Sequence, residues 1–272
     1  MKMRRVLLLG WLAAFANVSA CSPPRQSSAV PRSTTTETAQ SKSGTVVTIK
    51  ESILQYANQE YTIVDRQPSV FGLKNAAVQR DINRRLVSLV QARIANFANM
   101  PPETDPVFFS GGRKWSQEIR YYPVLISPSI ISLYFVETLD EGGTHPNETT
   151  FSFSYSILDH SELTLSDLVS SGHLGMMSEV VIARLIGNLK ASKEDDPTRE
   201  KWIRQGASPQ PAHYKTFAIG ADGLHFYFDP YQVAPHSEGI QEILIDPHSI
   251  KDALNSIGQR LLLTNIGRQE QY

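Results

Sequence analysis

Residues 151–157 read Phe151-Ser152-Phe153-Ser154-Tyr155-Ser156-Ile157, and this segment carries the clearest structural signal in the chain. Large apolar side chains alternate with serines along its whole length. Because successive side chains of a β-strand point to opposite faces of the sheet, the alternation predicts a strand with one buried aromatic face and one small polar face. An exposed row of rings could instead bind sugar, but strict alternation is what a half-buried sheet requires.

Further strands are predicted on both sides of this segment, from runs of β-branched and aromatic residues that end at Gly, Pro or Ser. They cover residues 45–51, 61–64, 117–127, 130–137, 216–219, 224–228 and 240–245. The two runs that flank Ser127-Pro128-Ser129 predict an antiparallel pair. Short helical turns are predicted at 164–169 and near 247–254.

Two amphipathic helices complete the pattern, since apolar residues recur on one helical face in each. The first contains Val78, Ile82, Leu86, Leu89, Val90, Ile94 and Phe97 and ends before Pro101-Pro102. The second contains Met176, Met177, Val180, Val181, Leu185, Ile186 and Leu189. The polar residues 191–212 predict a long surface connection. Strands and helices occur in blocks, which predicts an α+β fold with mostly antiparallel sheets in two adjoining modules, 45–138 and 139–264, before a tail, 265–272.

Cys21 is the only cysteine, and the residues before it have the order of a bacterial lipoprotein signal. A basic start and an apolar stretch, 6–15, precede the small residues Val18-Ser19-Ala20. We therefore predict a signal peptide, 1–20, with lipid attached at Cys21, and an ordinary secretory signal is the alternative. The Ser-, Thr- and Pro-rich residues 21–44 predict a flexible tether. We expect an extracytoplasmic protein, held by lipid at the cell membrane or the outer membrane.

The composition excludes some functions and favours none. The formal net charge is −1, and removal of Lys2, Arg4 and Arg5 with the signal makes the mature chain more acidic. Such a chain is not expected to bind nucleic acid, because that binding relies on clusters of basic residues.

Motifs of known catalytic chemistry are absent from the sequence. It contains no zinc-protease motif, no phosphate-binding loop and no nucleophile elbow. With the single cysteine assigned to lipid and the histidines dispersed, we predict no metal site and no cofactor. Histidines gathered by folding are the alternative way to bind zinc.

Two segments differ from ordinary connections. Residues 142–147 read Gly-Gly-Thr-His-Pro-Asn and form a tight turn before the aromatic strand, while 226–239 contain a long, Pro-stiffened loop between two predicted strands. Long loops inside compact domains are often functional, and Pro and Tyr lower the entropy lost on binding a partner. A structural crossover fixed by its prolines is the alternative.

The same segments carry a family resemblance. The motifs are Gly142-Gly143-x-His145, Leu163-Thr164-Leu165-Ser166-Asp167-Leu168, and Asp222-Gly223-Leu224-x-Phe226-Tyr227-Phe228-x-Pro230-Tyr231-x-x-Ala234-Pro235. They resemble an extracytoplasmic domain of largely unknown function. That domain is found in lysozyme-sensing sigma-V anti-sigma factors and beside the catalytic domain of certain peptidoglycan deacetylases.

The resemblance implies an α+β body and, in the anti-sigma branch, an ectodomain that binds lysozyme. The chain departs from both kinds of protein, because it shows no transmembrane helix and no metal-binding motifs of a polysaccharide deacetylase. We therefore expect the binding part alone, attached to lipid: a non-enzymatic envelope protein that binds a protein or glycan partner, either lysozyme or peptidoglycan.

In this interpretation Tyr231 is an aromatic anchor, Gln232 a rim residue, and Asp229 and Glu238 oppose the charge of a basic ligand. The candidate ligand-binding residues are His145, Asp229, Pro230, Tyr231, Pro235, His236 and Glu238. One alternative is a hydrolase or deacetylase with a site assembled from His145, Asp229 and His236. Another is a structural lipoprotein of an envelope assembly.

Overall fold

The fold is α+β with mostly antiparallel sheets, as predicted, and the described residues form two of them. The computed structural model describes residues 36–40, 46–100, 114–190 and 197–264. Cys21, the predicted signal peptide, most of the predicted tether and the tail lie outside the described residues. Within the described part of the chain, no helix is both long enough and apolar enough to cross a membrane.

Among the described residues, the first sheet has seven strands, and their order follows the chain. They are β1 (Thr36–Gln40), β2 (Val46–Ala57), β3 (Tyr61–Phe71), β4 (Trp115–Ile126), β5 (Ile130–Asp140), β6 (Asn147–Ser156) and β7 (Ser161–Glu162). Neighbouring strands are antiparallel except β3 and β4, which are parallel. Parallel neighbours need a crossover, and helix α1 (Ala76–Ala98) supplies it.

Helix α1 covers one face of this sheet. The Asn75 side chain caps its first turn by accepting hydrogen bonds from two backbone N–H groups. Its buried face packs against the aromatic face of β5 and β6, and the shared core contains Val78, Ile82, Leu86, Val90, Phe135, Phe151, Phe153 and Tyr155. The Tyr155 hydroxyl donates to Asp81 Oδ2 at 3.1 Å, and Arg85 Nε donates to the same oxygen at 2.8 Å.

The second sheet and its helices follow β7. Helices α2 (Leu174–Lys190) and α3 (Pro197–Gly206) precede β8 (Phe217–Ile219), β9 (Leu224–Phe228) and β10 (Gln241–Ile245), which pair in the antiparallel order β10-β9-β8. The predicted short turns are present as 3₁₀ helices, Leu165–Asp167 and Pro247–Ala253. The chain then forms a single helical turn, Ser256–Gly258, and a π-helix, Gln259–Thr264. A second core joins these elements through Met177, Val181, Leu185, Tyr214, Phe226, Phe228, Ile243, Ile250 and Leu261.

The serine face of β5 and β6 joins the two sheets. Ser132 and Ser154, directly opposite each other in the first sheet, share a hydrogen bond of 2.8 Å between their hydroxyls. Ser132 Oγ accepts from the Ile219 N–H at 2.8 Å, and Ser152 Oγ accepts from the Phe217 N–H at 3.1 Å. Strand β8 therefore lies across this face. The predicted polar face is present, but most of it is a second packing surface, since Ser132, Ser154 and Ser156 are buried and Ser152 is half-buried.

Helix α3 corrects the prediction of a surface connection at 191–212. Pro197 occupies the first helical turn, and Ile203 is its one fully buried apolar residue, so the apolar periodicity is too short to detect. The available signals were Asp196-Pro197 at the start, Glu200 in the first turn and Arg204 in the last.

Two predicted boundaries also differ from the structure. Residues 36–40, inside the predicted tether, form β1 because their backbone pairs with the edge of β2 from Thr36–Lys50 to Gln40–Val46. The first sheet crosses the predicted module boundary at 138/139, since β6 pairs with β5 along its length. Most residues of the second core follow β7, and Ile130 of β5 also belongs to it.

Asp65 in β3 is an unusual core residue. It is fully buried, and neither carboxylate oxygen has a hydrogen-bond partner among the described residues. Burial raises the pKa of Asp65 from 3.8 to about 7. The folded protein therefore keeps a proton on Asp65 in a pH range where the unfolded chain has released it.

Replacing Ser132 with Ala should lower the free energy of unfolding by about 2 kcal/mol, because the buried Ile219 N–H loses its acceptor. Equilibrium unfolding in urea measures the change. The matched control is Ser171→Ala at an exposed serine, which should change stability by less than about 0.5 kcal/mol. Equal stability of Ser132→Ala and the wild type would contradict the role given to the serine face.

Replacing Asp65 with Asn should remove a pH dependence of stability. The stabilisation from a neutral Asp65 is complete below the unfolded pKa and is lost as the pH rises through the raised pKa of the folded state. The stability of Asp65→Asn relative to the wild type should therefore rise by up to about 4 kcal/mol between about pH 4 and pH 7. Urea unfolding across this range, with exposed Asp252→Asn as control, tests it. Parallel curves for wild type and Asp65→Asn would refute the assignment.

Candidate functional site

The structure brings together the two segments that the sequence singled out. His145 in the β5–β6 turn stacks on His236, with 3.7 Å between the ring centroids. Tyr231 also contacts His236, with its ring centroid 5.3 Å from that of His236 and the two ring planes tilted by 41°. We call these three residues the Tyr231 patch. Tyr231 is 56% exposed, so the patch presents an accessible ring beside stacked imidazoles.

Hydrogen bonds to neighbouring segments fix the loop that carries Tyr231. Tyr231 has a φ of 69°, a left-handed conformation that is costly for a residue with a side chain. Trp202 Nε1 donates to the Tyr231 carbonyl at 2.9 Å. Gln232 Nε2 donates to the carbonyls of Gly206 and His213, at 3.0 Å each. These hydrogen bonds hold the strained residue in one position, so little entropy is lost when a partner contacts the ring.

Gly206 at the end of α3 allows the close approach of this loop. A Cβ atom at position 206 would lie 1.8 Å from the Gln232 carbonyl oxygen, so only glycine fits. Helix α3, which the sequence interpretation missed, is therefore one of the supports of the predicted site.

Asp229 and Glu238 hold the loop in place. Asp229 Oδ1 accepts hydrogen bonds from the backbone N–H and the hydroxyl of Thr150, at 2.7 Å each, and Oδ2 lies 3.4 Å from Lys215 Nζ. Glu238 pairs with Arg199, and both side chains are only 13% exposed. These internal contacts leave neither carboxylate free to face a ligand, which differs from the predicted role. Pro230 and Pro235 are half-buried, and Pro235 precedes the 3₁₀ turn His236–Glu238.

The predicted catalytic alternative requires His145, Asp229 and His236 to act together. The two rings stack, but the described hydrogen bonds of Asp229 go to Thr150 and its ion pair to Lys215. His236 Nε2 is buried without a hydrogen-bond partner among the described residues. Across all the residues that the structure describes, no group of three or more His, Cys, Asp or Glu side chains is placed to hold a metal ion.

A second surface, not predicted from the sequence, lies where β4 and β5 meet β9 and β10. The rings of Tyr122 and Tyr134 stack with 4.9 Å between centroids, and those of Tyr134 and Tyr227 with 4.0 Å. The stack lines a groove of about 540 Å³, which we call the tyrosine groove. Burial raises the pKa of Tyr134 to about 12, so its hydroxyl stays protonated near neutral pH.

Polar side chains also line the tyrosine groove, next to Tyr227. His225 Nδ1 lies 2.7 Å from Glu242 Oε1, and its Nε2 lies 2.8 Å from Asp222 Oδ1. Burial opposes ionisation of Asp222, but the hydrogen bond and attraction from His225 outweigh it and lower the pKa of this carboxyl. A strand register was needed to find this groove, because Tyr122 and Tyr134 become neighbours only when β4 and β5 pair.

A third concave surface is lined by hydroxyl groups. This cleft of about 510 Å³ lies beside β8, between the serine face and the 3₁₀ turn Leu165–Asp167, and it includes Ser152, Ser154 and Thr164. Ser152 and Ser154 already bond to Phe217 and Ser132, and Thr164 bonds to Ser166 and Asp167. Its polar groups therefore mainly stabilise the fold.

Comparison with known proteins relates the second half of the chain to a family without an assigned function. Residues 166–246 match the family described as "Protein of unknown function (DUF3298)". This segment contains α2, α3, the second sheet and the Tyr231 loop. In sequence, the chain is 26% identical over 138 residues to the peptidoglycan-N-acetylmuramic acid deacetylase PdaC of Bacillus subtilis strain 168. The aligned region is 50% of this chain but only 28% of that enzyme.

Two solved structures of DUF3298-family proteins share the fold. The protein from Bacteroides fragilis NCTC 9343 has a TM-score of 0.57 at 12% identity, and the match covers 87% of this chain and 97% of that one. The protein from Pseudomonas aeruginosa PAO1 has a TM-score of 0.53 at 15% identity, with coverages of 83% and 96%. The predicted resemblance is thus confirmed, and the chain is related to the DUF3298 proteins of unknown function through residues 166–246 and through its fold.

Proposed function

We propose that this chain is a non-enzymatic, lipid-anchored protein of the cell envelope that binds peptidoglycan through the Tyr231 patch. The observation that carries the proposal is the exposed Tyr231 ring, held at a positive φ by Trp202 and in tilted contact with His236, which stacks on His145. Strained residues persist only where the surrounding structure fixes them, and they concentrate at binding sites. Exposed aromatic side chains on fixed loops are frequent anchors for partners.

Peptidoglycan is preferred to lysozyme as the partner for two reasons. The carboxylates expected to face a cationic protein, Asp229 and Glu238, are occupied by Thr150, Lys215 and Arg199. The sequence relative PdaC is by name a peptidoglycan deacetylase. Half of this chain aligns with 28% of that enzyme. A lysozyme-like protein remains the second candidate partner and is part of the test.

The residues that precede and include Cys21 support the proposed location. The proposed lipid at Cys21 would hold the folded part at the membrane surface, with the intervening residues giving it reach towards the wall. Metabolic labelling with a fatty acid tests this directly. Loss of label in Cys21→Ser is expected, and equal labelling of both proteins would refute lipid attachment at this residue.

Replacing Tyr231 with Ala should weaken binding of the mature chain to purified peptidoglycan by about tenfold or more, because the exposed ring is lost. Cosedimentation with insoluble peptidoglycan measures the affinity. The matched control is Ser237→Ala, at an exposed residue of the same loop, which should bind as the wild type does.

Four outcomes would contradict this proposal. The first two are failure of peptidoglycan to retain the wild type and equal retention of Tyr231→Ala. Saturable binding of lysozyme that depends on Tyr231, without peptidoglycan binding, would assign the patch to a protein partner. Release of acetate from peptidoglycan would establish the catalytic alternative.

Replacing Gln232 with Ala should also weaken peptidoglycan binding, although the sequence interpretation placed this residue at the rim. Its amide holds the Tyr231 loop against Gly206 and His213, so its loss frees the loop. The loop should then exchange its amide hydrogens faster in the free protein, whereas Tyr231→Ala should leave exchange of the neighbouring amides nearly unchanged. Weakened binding with unaltered exchange would show that Gln232 contacts the partner directly.

A further inference from the structure

The tyrosine groove has an open aromatic end. One face of the Tyr122 ring stacks on Tyr134, and Tyr122 is 40% exposed. Pairing between β3 and β4 runs from Tyr61–Trp115 to Asp65–Ile119. Beyond that pair, no described strand is paired with β4 on this side, which agrees with the exposure of Tyr122.

The polar wall of the groove is accessible from solvent. The Asp222 and Glu242 side chains are 58% and 52% exposed, while His225 between them is only 13% exposed. The imidazole therefore fixes two carboxylates at the rim and keeps their remaining oxygen lone pairs turned towards the groove opening or solvent. The same groove is lined by Tyr122, whose ring is the exposed end of the tyrosine stack, so a ligand long enough to follow the groove can meet both the ring and the carboxylates.

We propose that the tyrosine groove binds a glycan whose pyranose rings carry free amino groups. The C–H face of a pyranose carries partial positive charge and stacks on the negative face of an aromatic ring, which Tyr122 presents. Protonated amino groups and hydroxyls donate charge-assisted hydrogen bonds to Asp222 and Glu242. An N-acetylated sugar can stack equally well but lacks the cation, and an anionic sugar is repelled by the two carboxylates.

The groove is less suited to an extended peptide. The open edge of β4 could in principle accept an added strand, but Pro123 lacks an N–H group and the register shifts between Pro123 and Leu125. Proline and bulges at an edge are features that prevent strand addition. The ring face, and not the strand edge, is therefore the feature available to a ligand.

This inference deepens the proposed function, since it names a class of envelope sugar, but it rests on different residues. Tyr122, Asp222 and Glu242 are not part of the Tyr231 patch. Either proposal can therefore fail while the other holds.

Isothermal titration of the mature chain with tetrasaccharides of glucosamine and of N-acetylglucosamine tests the proposal. The glucosamine tetramer should bind about tenfold more tightly than its N-acetylated counterpart, because it alone forms charge-assisted hydrogen bonds. Tyr122→Ala should weaken its binding by about tenfold, and Tyr122→Phe, which keeps the ring, should retain it. The double substitution Asp222→Asn and Glu242→Gln should remove the preference for the amino sugar.

Phe71→Ala is the matched control, because it removes a ring of similar exposure, 39%, that belongs to neither site, and it should leave tetrasaccharide binding unchanged. Near-ultraviolet circular dichroism of each variant verifies that it is folded. The proposal is overturned if the wild type binds neither tetramer, if both tetramers bind equally, or if Tyr122→Ala binds as the wild type does. Loss of tetrasaccharide binding in Tyr231→Ala, with full binding by Tyr122→Ala, would assign the sugar-binding site to the Tyr231 patch.

Discussion

The hydrogen bonds from the backbone of β8 to serine hydroxyls of β5 and β6 are the constraint on which the rest of the structure depends. Strand β8 has only three residues and pairs with β9 on one side. Its outward N–H groups at Phe217 and Ile219 would be buried without acceptors if Ser152 and Ser132 did not supply them. The small serine side chains also let the second sheet approach the first closely. In β6, the aromatic side chains therefore pack against α1 on one face of the sheet, and the serines pack against β8 on the other.

Both candidate binding surfaces follow from this junction. With β8 fixed on the serine face, β9 brings Tyr227 against Tyr134 and so completes the tyrosine groove. Beyond β9, Asp229 bonds to Thr150 of β6 and sets the start of the loop that carries Tyr231. The β5–β6 turn then reaches the same loop, where His145 meets His236. The two surfaces thus share one structural origin but use separate side chains.

The sequence predicted the elements whose signals are local. Helix α1, the pairing of β4 with β5, the aromatic strand β6 and the two unusual loops could be identified because periodicity, turn residues and proline positions act over short distances. Burial of the serine face could not be predicted, since serine alternation looks the same whether water or another backbone covers it. Helix α3 escaped notice because Ile203 is its one fully buried apolar residue, which is too little for a helical period.

The candidate site was predicted in position but only partly in chemistry. His145, Tyr231 and His236 were expected to act together, and the structure places their rings side by side. Asp229 and Glu238 were expected to face a ligand, but charged residues in a loop can equally form contacts within the protein. The positions of Thr150, Lys215 and Arg199 show that these two carboxylates do the latter, and the sequence does not encode those positions locally. The tyrosine groove depends on strand register and on packing between sheets, which no local pattern encodes.

Hydrogen–deuterium exchange of the mature chain, with and without soluble peptidoglycan fragments, tests the central claim most directly. Binding at the Tyr231 patch should slow exchange in the turn 142–147 and the loop 229–239 together, because the two segments form one surface. Protection confined to other parts of the chain, or no protection at a fragment concentration that saturates binding, would contradict the assignment of this surface as the binding site.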